Sequence, residues 1–232
     1  MSRYKRFMFG FMVTLAISAV VSTSASAAKC KKEANKKFVL CLGEPLVLTE
    51  GTLTIHVKTD PMRIFILERE GIKVECSKIE GLGAFISKPG VLVNETKILN
   101  LVIKLSECSV QGVANCKAEP ITTLPLRGII EAKERVEFLP EKEKEEHIAT
   151  VTFVENGGAC AIAGKEEIKT KAGKGPLCIV EWEKTHLEQL FACLKENSAI
   201  EFGEKPGTFG GEFLMTLLKA SVETEWAVVE GK

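Results

Sequence analysis

Three histidines, His56, His147 and His186, are the side chains of this sequence best suited to move protons near neutral pH. His56 shares the polar face of an alternating segment with Thr52 and Thr54, which is more typical of a solvent-facing strand than of a proton-transfer site. His147 follows an acidic run, and no partner for His186 can be identified from the sequence. No G-x-S-x-G motif supplies a nucleophilic serine. The sequence therefore predicts no catalytic residue.

The carboxylates are almost all glutamates, because Asp60 is the only aspartate. A paired-glutamate hydrolase stays open, since many combinations of two glutamates are available. Sugar-cleaving clefts, however, usually stack sugars on Trp and Tyr, whereas Tyr4 is the only tyrosine and the tryptophans are Trp182 and Trp226, which we expect in the core or at a sheet edge. Clustered oxygen ligands for calcium are also missing. We predict neither a metal site nor a cofactor.

Eight cysteines follow the first 28 residues, and an even number in an exported chain predicts up to four disulfides. No C-x-x-C pair is present, and the spacings match no zinc motif. Eight cysteines allow 105 pairings, so sequence does not determine connectivity. Pairing of sequence neighbours, with the remaining two cysteines joined, predicts the bridges Cys30–Cys41, Cys108–Cys116, Cys160–Cys178 and Cys76–Cys193.

The first 28 residues predict a signal peptide, with Arg3, Lys5 and Arg6 before an apolar run and the small residues Ala25-Ser26-Ala27 after it. We expect cleavage after Ala27 or Ala28 and a secreted or cell-envelope location, with an uncleaved anchor as the alternative. Removing this segment takes away three of the 31 basic residues and no acidic one, so the mature chain carries a net charge of about −3. This balance disfavours nucleic acid as a partner. No later stretch is long and apolar enough to cross a membrane.

Short alternating segments separated by Gly and Pro predict an all-β protein. The stretch 97–128 is the clearest: its Leu99, Leu101, Ile103 and Leu105 share one face, and Pro125 indicates an edge or a bulge. The pattern predicts an antiparallel β-sandwich or barrel-like sheet, stapled by disulfides, in a single domain over residues 29–232 in which 29–70 could form a semi-separate part.

Glycine-rich pieces lack the spacing of phosphate-binding loops and are predicted as hairpin turns. They are Gly157-Gly158, Lys171–Gly175 and Gly207–Gly211.

Several short motifs resemble a set of uncharacterised secreted β-rich proteins of soil actinobacteria. They are ECS at 75–77, ITTLPLRG at 121–128, VEFLP at 136–140, CAIAG at 160–164 and IEFGEKPGTFGGEF at 200–213. The resemblance implies an exported β-domain and no particular activity. It also favours a strand for Thr185–Cys193, although the residue spacing of Thr185–Leu194 alone fits a capped helix.

Three functional hypotheses follow. The leading one is a non-enzymatic structural or binding protein, with a cell-envelope or protein partner, whose function resides in loops such as Glu141–Glu146 or Lys171–Gly175. The alternatives are a secreted hydrolase using glutamates and a β-barrel carrier of an apolar ligand. A cleft in which two glutamates or a histidine converge would favour the hydrolase. Evenly spread charges with all cysteines bonded would favour the first hypothesis, and an open interior would favour the carrier.

Overall fold

The computed structural model describes residues 38–42, 51–60, 63–87, 97–132, 134–142, 144–180, 186–197 and 200–230. Of these residues, 73% lie in β-strands. The strands are β1 (Phe38–Leu42), β2 (Gly51–Thr59), β3 (Phe65–Arg69), β4 (Ile72–Ser87), β5 (Lys97–Gln111), β6 (Cys116–Ala118), β7 (Ile121–Thr122), β8 (Leu126–Ala132), β9 (Arg135–Pro140), β10 (His147–Glu155), β11 (Gly164–Thr170), β12 (Leu177–Val180), β13 (Glu188–Cys193), β14 (Ile200–Phe202), β15 (Lys205–Lys219), β16 (Val222–Thr224) and β17 (Trp226–Glu230).

Eight of these strands close into an antiparallel barrel. Their order is β15-β2-β4-β5-β8-β9-β12-β13, and β13 pairs with β15 to complete the ring. The predicted all-β, antiparallel and disulfide-stapled fold is therefore confirmed, and the sheet is a barrel. An eight-stranded barrel has an interior just wide enough for side chains to fill.

A second ring shares the three longest strands, β4, β5 and β15, with the first. Around it the order is β15-β3-β4-β5-β7-β10-β11-β14, and a single bridge between Thr123 and Ala149 joins β7 to β10. Each of the other five positions around the barrel wall is occupied by two strands that are consecutive in sequence, one in each ring. These strand pairs are β2 and β3, β7 and β8, β9 and β10, β11 and β12, and β13 and β14. The chain thus runs up and down eight times. In each strand pair, one strand ends and the next begins at the boundary between the two rings, and we call this level the waist.

Threonine hydroxyls complete the sheet at two of these changeovers. Thr59, the last residue of β2, accepts from the Ile79 N–H at 2.9 Å and donates to the Ile79 carbonyl at 3.1 Å. Thr123, just after β7, accepts from the Ile103 N–H at 2.9 Å. Both hydroxyls therefore satisfy backbone groups of the long strands where the neighbouring strand ends.

The barrel interior is filled by buried side chains of both rings. The phenylalanine rings form a continuous cluster, with Phe213 centred 5.1 Å from Phe191, 5.9 Å from Phe65 and 6.2 Å from Phe138. Trp226 is fully buried, as predicted for a core position, and its carbonyl accepts from the buried Gln189 amide at 2.6 Å. Strand β17 begins at this tryptophan, pairs with β1, and is joined to His186 by a single backbone bridge at Trp226. The C-terminal segment thus contributes a large side chain to the core.

No helix among the described residues has the length and apolar character needed to cross a membrane.

Three disulfides join the six cysteines whose side chains the structure describes. Cys76–Cys108 and Cys178–Cys193 each link residues directly opposite on neighbouring strands, and Cys116–Cys160 joins the start of β6 to the loop after β10. The predicted pairs Cys108–Cys116, Cys160–Cys178 and Cys76–Cys193 are therefore wrong, because strand register and not sequence distance brings cysteines together. The predicted Cys30–Cys41 pair involves Cys30, which lies outside the described residues.

The structure also decides several predictions of local conformation. Thr185–Leu194 contains strand β13, as the resemblance implied, although Thr185 itself lies outside the described residues. Leu99 is only half-buried, because Asn100 adopts a φ of 51° and the alternation restarts with buried Ile98 and Leu101.

Two of the three glycine-rich pieces differ in conformation. Gly157-Gly158 lies in a turn between β10 and β11, whereas Gly207–Gly211 lies inside β15 and is not a turn.

Pro125 is exposed between β7 and β8, where the wall passes from one ring to the other at the waist. Strands β2 and β3, which fall within residues 29–70, are part of the barrel wall.

Candidate functional site

The two loops in which the sequence analysis placed the function, Glu141–Glu146 and Lys171–Gly175, lie next to each other at the waist. Residues Lys142, Lys144, Glu145, Glu146, His147 and Lys169 line a shallow cavity of about 520 Å³. A smaller adjoining cavity of about 120 Å³ shares Lys142, Lys144, Glu145 and Glu146 and adds Arg127, Leu139, Pro140, Thr170 and Gly173. We call the two together the waist cleft. Neither the sequence separation nor the composition of the loops predicted that they would share one cleft.

Hydrogen bonds fix the backbone on both sides of the cleft. Thr170 donates its N–H to the Glu146 carbonyl at 2.7 Å, and Glu141 donates its N–H to the Pro125 carbonyl at 2.9 Å. Gly175 donates its N–H to the Glu137 carboxylate at 2.9 Å. A Cβ on Gly175 would lie 1.9 Å from the Phe138 carbonyl oxygen, so only glycine allows this close approach. The cleft is thus built on a fixed backbone.

A tight turn forms the rim of the cleft at residues 171–174. Lys171 and Lys174 exchange backbone hydrogen bonds of 3.1 and 3.0 Å, and the two residues between them, Ala172 and Gly173, have φ values of 51° and 71°. Positive φ at both central residues is the mark of a type I′ turn. A turn at Lys171–Gly175 is therefore confirmed, but the predicted hairpin is not, because the turn joins β11 to β12, and these two strands do not pair with each other.

Part of the charge in the cleft is paired. Lys142 lies 3.9 Å from Glu145, and Lys169 lies 2.7 Å from Glu167. The hydrogen bond that Lys169 donates to the Glu167 carboxylate raises the pKa of Lys169, and the charges of Glu204 and Glu201 add to this effect. The hydrogen bond from Lys169 likewise lowers the pKa of Glu167. Lys169 is therefore already balanced by carboxylates on the outer face of the second ring.

His147 is the one predicted histidine that lies in the cleft. Its Nε2 is 2.8 Å from the Ala149 carbonyl and 3.1 Å from the Thr150 hydroxyl. Since a carbonyl only accepts, Nε2 carries the hydrogen in this arrangement. Both contacts fix the ring against its own strand.

The other candidate residues do not join this site. His56 is exposed on β2, and His186 is exposed where it bridges the backbone of Trp226. The six described cysteines are all in disulfides. Among the residues the structure describes, no group of three or more His, Cys, Asp and Glu is arranged to hold a metal ion. Trp182 lies outside the described residues.

Sequence reasoning missed a charged pair at the end of the second ring. The Arg69 guanidinium bonds the Glu166 carboxylate at 2.6 Å, with side chains 10% and 19% exposed, and lies over the Phe202 ring at 5.4 Å. Arg69 continues the inward-facing series of Phe65 and Leu67 on β3. That alternation was the available signal, since it places an arginine on the core face. The pair covers the end of the apolar core.

Comparison with known proteins yields no match to any family model, curated protein or solved structure.

Proposed function

We propose that this protein is an exported, disulfide-stabilised barrel that acts by binding a partner in its waist cleft. One cleft is lined both by Lys144 and Glu146, from the loop before β10, and by Gly173 of the rim turn, and this convergence carries the proposal. Loops on a rigid scaffold are where binding residues usually lie. The resemblance to secreted β-rich proteins agrees with an exported role without naming a partner.

Two further observations support the exported binding role. Three buried disulfides are typical of proteins that fold in an oxidising compartment, which agrees with the predicted signal peptide. Packed phenylalanines occupy the interior, whereas a carrier of an apolar ligand needs open space there. The filled interior points to the outer surface as the functional part.

Co-purification from the native envelope tests the binding role. The double change Lys144→Ala with Glu146→Ala removes one charge of each sign from the cleft, and we expect it to reduce recovery of the bound partner at least about tenfold, because both contacts are lost. The matched control is Lys117→Ala with Glu119→Ala, which changes two exposed residues on and beside β6. Equal recovery with both double variants would contradict binding in the cleft.

A hydrolase is the second candidate, because Glu145, Glu146 and His147 all line the larger cavity. Its carboxylates are adjacent in sequence, and Glu145 is paired with Lys142. Glycosidases instead place two carboxylates on opposite sides of the scissile bond. Breakdown of an envelope polymer by the native protein, lost in Glu146→Gln, would establish this alternative in place of the binding role.

A further inference from the structure

The turn between β10 and β11 contains the only asparagine–glycine pair of the sequence, Asn156-Gly157. Both residues and Gly158 are exposed and lie outside the strands, because β10 ends at Glu155. Asparagine followed by glycine is favoured in tight turns. It is also the pair in which a side-chain amide lies beside the main-chain nitrogen of a residue that has no Cβ. The two residues therefore have the composition needed to react with each other.

The local structure leaves this main-chain nitrogen open to reaction. Gly157 adopts a φ of 77°, and apart from its chain neighbours no atom lies within 4 Å of the position that a Cβ would take. Among the described residues, no carbonyl accepts a hydrogen bond from the Gly157 N–H. The Asn156 N–H, by contrast, donates to the Asn115 carbonyl at 2.8 Å. The barrel thus holds Asn156 in place, whereas the Gly157 nitrogen has no hydrogen bond to give up.

Two other asparagines, Asn100 and Asn115, are exposed but precede buried residues. Leu101 is fully buried and lies in β5 opposite Leu126. Cys116 is buried in β6, where both the ladder with β10 and a disulfide hold it. Ring closure at either asparagine would displace one of these core residues. Asn100 and Asn115 are therefore internal controls for the reactivity of Asn156.

We propose that Asn156 is a self-modification site, at which the side-chain amide is converted to a carboxylate. The Gly157 nitrogen bonds to Cγ of Asn156 and gives up its proton, the bond from Cγ to Nδ2 breaks, and ammonia leaves, which forms a five-membered succinimide. One solvent water then opens the ring. Opening at the main-chain carbonyl of Asn156 gives isoaspartate, and opening at Cγ gives aspartate. Either product adds one negative charge to the turn.

The fold tolerates this change because it lies beyond the last bonds of β10. The ladder between β10 and β6 ends at Glu155 and Cys116, and the Asn156 N–H that bonds Asn115 precedes the reacting carbon. Isoaspartate adds one carbon to the main chain only after this point, in the exposed stretch before Cys160. The Cys116–Cys160 bridge keeps that stretch attached to β6. The new charge therefore accumulates on a folded barrel.

Peptide mapping by mass spectrometry tests the proposal on the folded chain, produced without its predicted signal peptide and incubated in mildly alkaline buffer. We expect Asn156 to lose its amide at least about tenfold faster than Asn100 or Asn115, a ratio that a barrier lower by about 1.4 kcal/mol produces. Chromatography separates the isoaspartate and aspartate forms, which have equal mass. Equal rates at the three asparagines, or an intact Asn156 while a peptide of residues 152–159 reacts, would overturn the proposal.

The variant Asn156→Gln is the matched control, because its longer side chain needs a six-membered ring, which closes far more slowly. It should gain no charge on isoelectric focusing during the same incubation. The melting temperatures of the incubated native protein and of the incubated variant should each lie within about 3 °C of the fresh native value. A gain of negative charge by Asn156→Gln at the native rate would place the reaction elsewhere. A larger fall in melting temperature for the incubated native protein than for the variant would show that the fold does not tolerate the product.

Discussion

Replacing Cys116 and Cys160 together by alanine should lower the free energy of unfolding by about 4 kcal/mol. The bridge links residues separated by 44 positions, and in the chain-entropy model such a loop restricts the unfolded chain by about that amount. It also ties β6 to the loop after β10, at the end of the second ring, where β6 is only three residues long. The prediction therefore concerns a part of the barrel that has few other contacts to hold it.

Denaturant unfolding of the oxidised protein measures this loss. The matched variant lacks Cys178 and Cys193, which are separated by 15 positions, and it should lose about 3 kcal/mol by the same model. Both cysteines of that pair are buried, so alanine also leaves the barrel wall slightly underpacked. Losses below about 1 kcal/mol in both variants would show that the disulfides do not set the stability of this barrel.

Glu166→Ala should lower the free energy of unfolding by about 3 kcal/mol, at the lower end of the cost of breaking a buried ion pair. The change leaves the Arg69 guanidinium, 10% exposed, over Phe202 without its carboxylate. The value is placed at the lower end because 19% of the Glu166 side chain remains exposed to solvent.

The double variant Arg69→Met with Glu166→Leu separates the ion pair from the packing. Apolar side chains of similar length cover the core without leaving a charge behind, so we expect stability within about 1 kcal/mol of the native protein. Thermal and denaturant unfolding of the single and double variants measure the difference. A double variant as unstable as Glu166→Ala would mean that the charges themselves, and not coverage of the core, are required at this end.

The fold class followed from the sequence because alternation and turn residues are local properties. The prediction that Leu99 lies on the buried face failed for a local reason. The positive φ of Asn100 interrupts the alternation, and nothing in the pattern LNLVIKL marks that irregularity. The inward Arg69 was missed although a local signal was present, because the alternation on β3 places it on the core face.

Disulfide pairing could not be predicted, because it depends on strand register. Cys76 pairs with Cys108 and Cys178 with Cys193 because they are directly opposite in the ladders β4–β5 and β12–β13. Sequence distance carries no such information, and it led to the wrong pairs. The waist cleft has the same origin, since the loops 141–146 and 171–175 become neighbours only when β9–β12 and β10–β11 pair around the barrel.

Hydrogen exchange of the chain produced without its predicted signal peptide, measured with and without an extract of the native envelope, tests the central claim most directly. Bound partner should slow exchange of the backbone amides in residues 141–147 and 170–175, which border the waist cleft. The exposed apolar residues Leu187 and Leu190 on the outer wall of the first ring provide the internal comparison and should show no change. Protection at that wall with none at the waist would contradict the account, and protection confined to the two waist loops is the result it predicts.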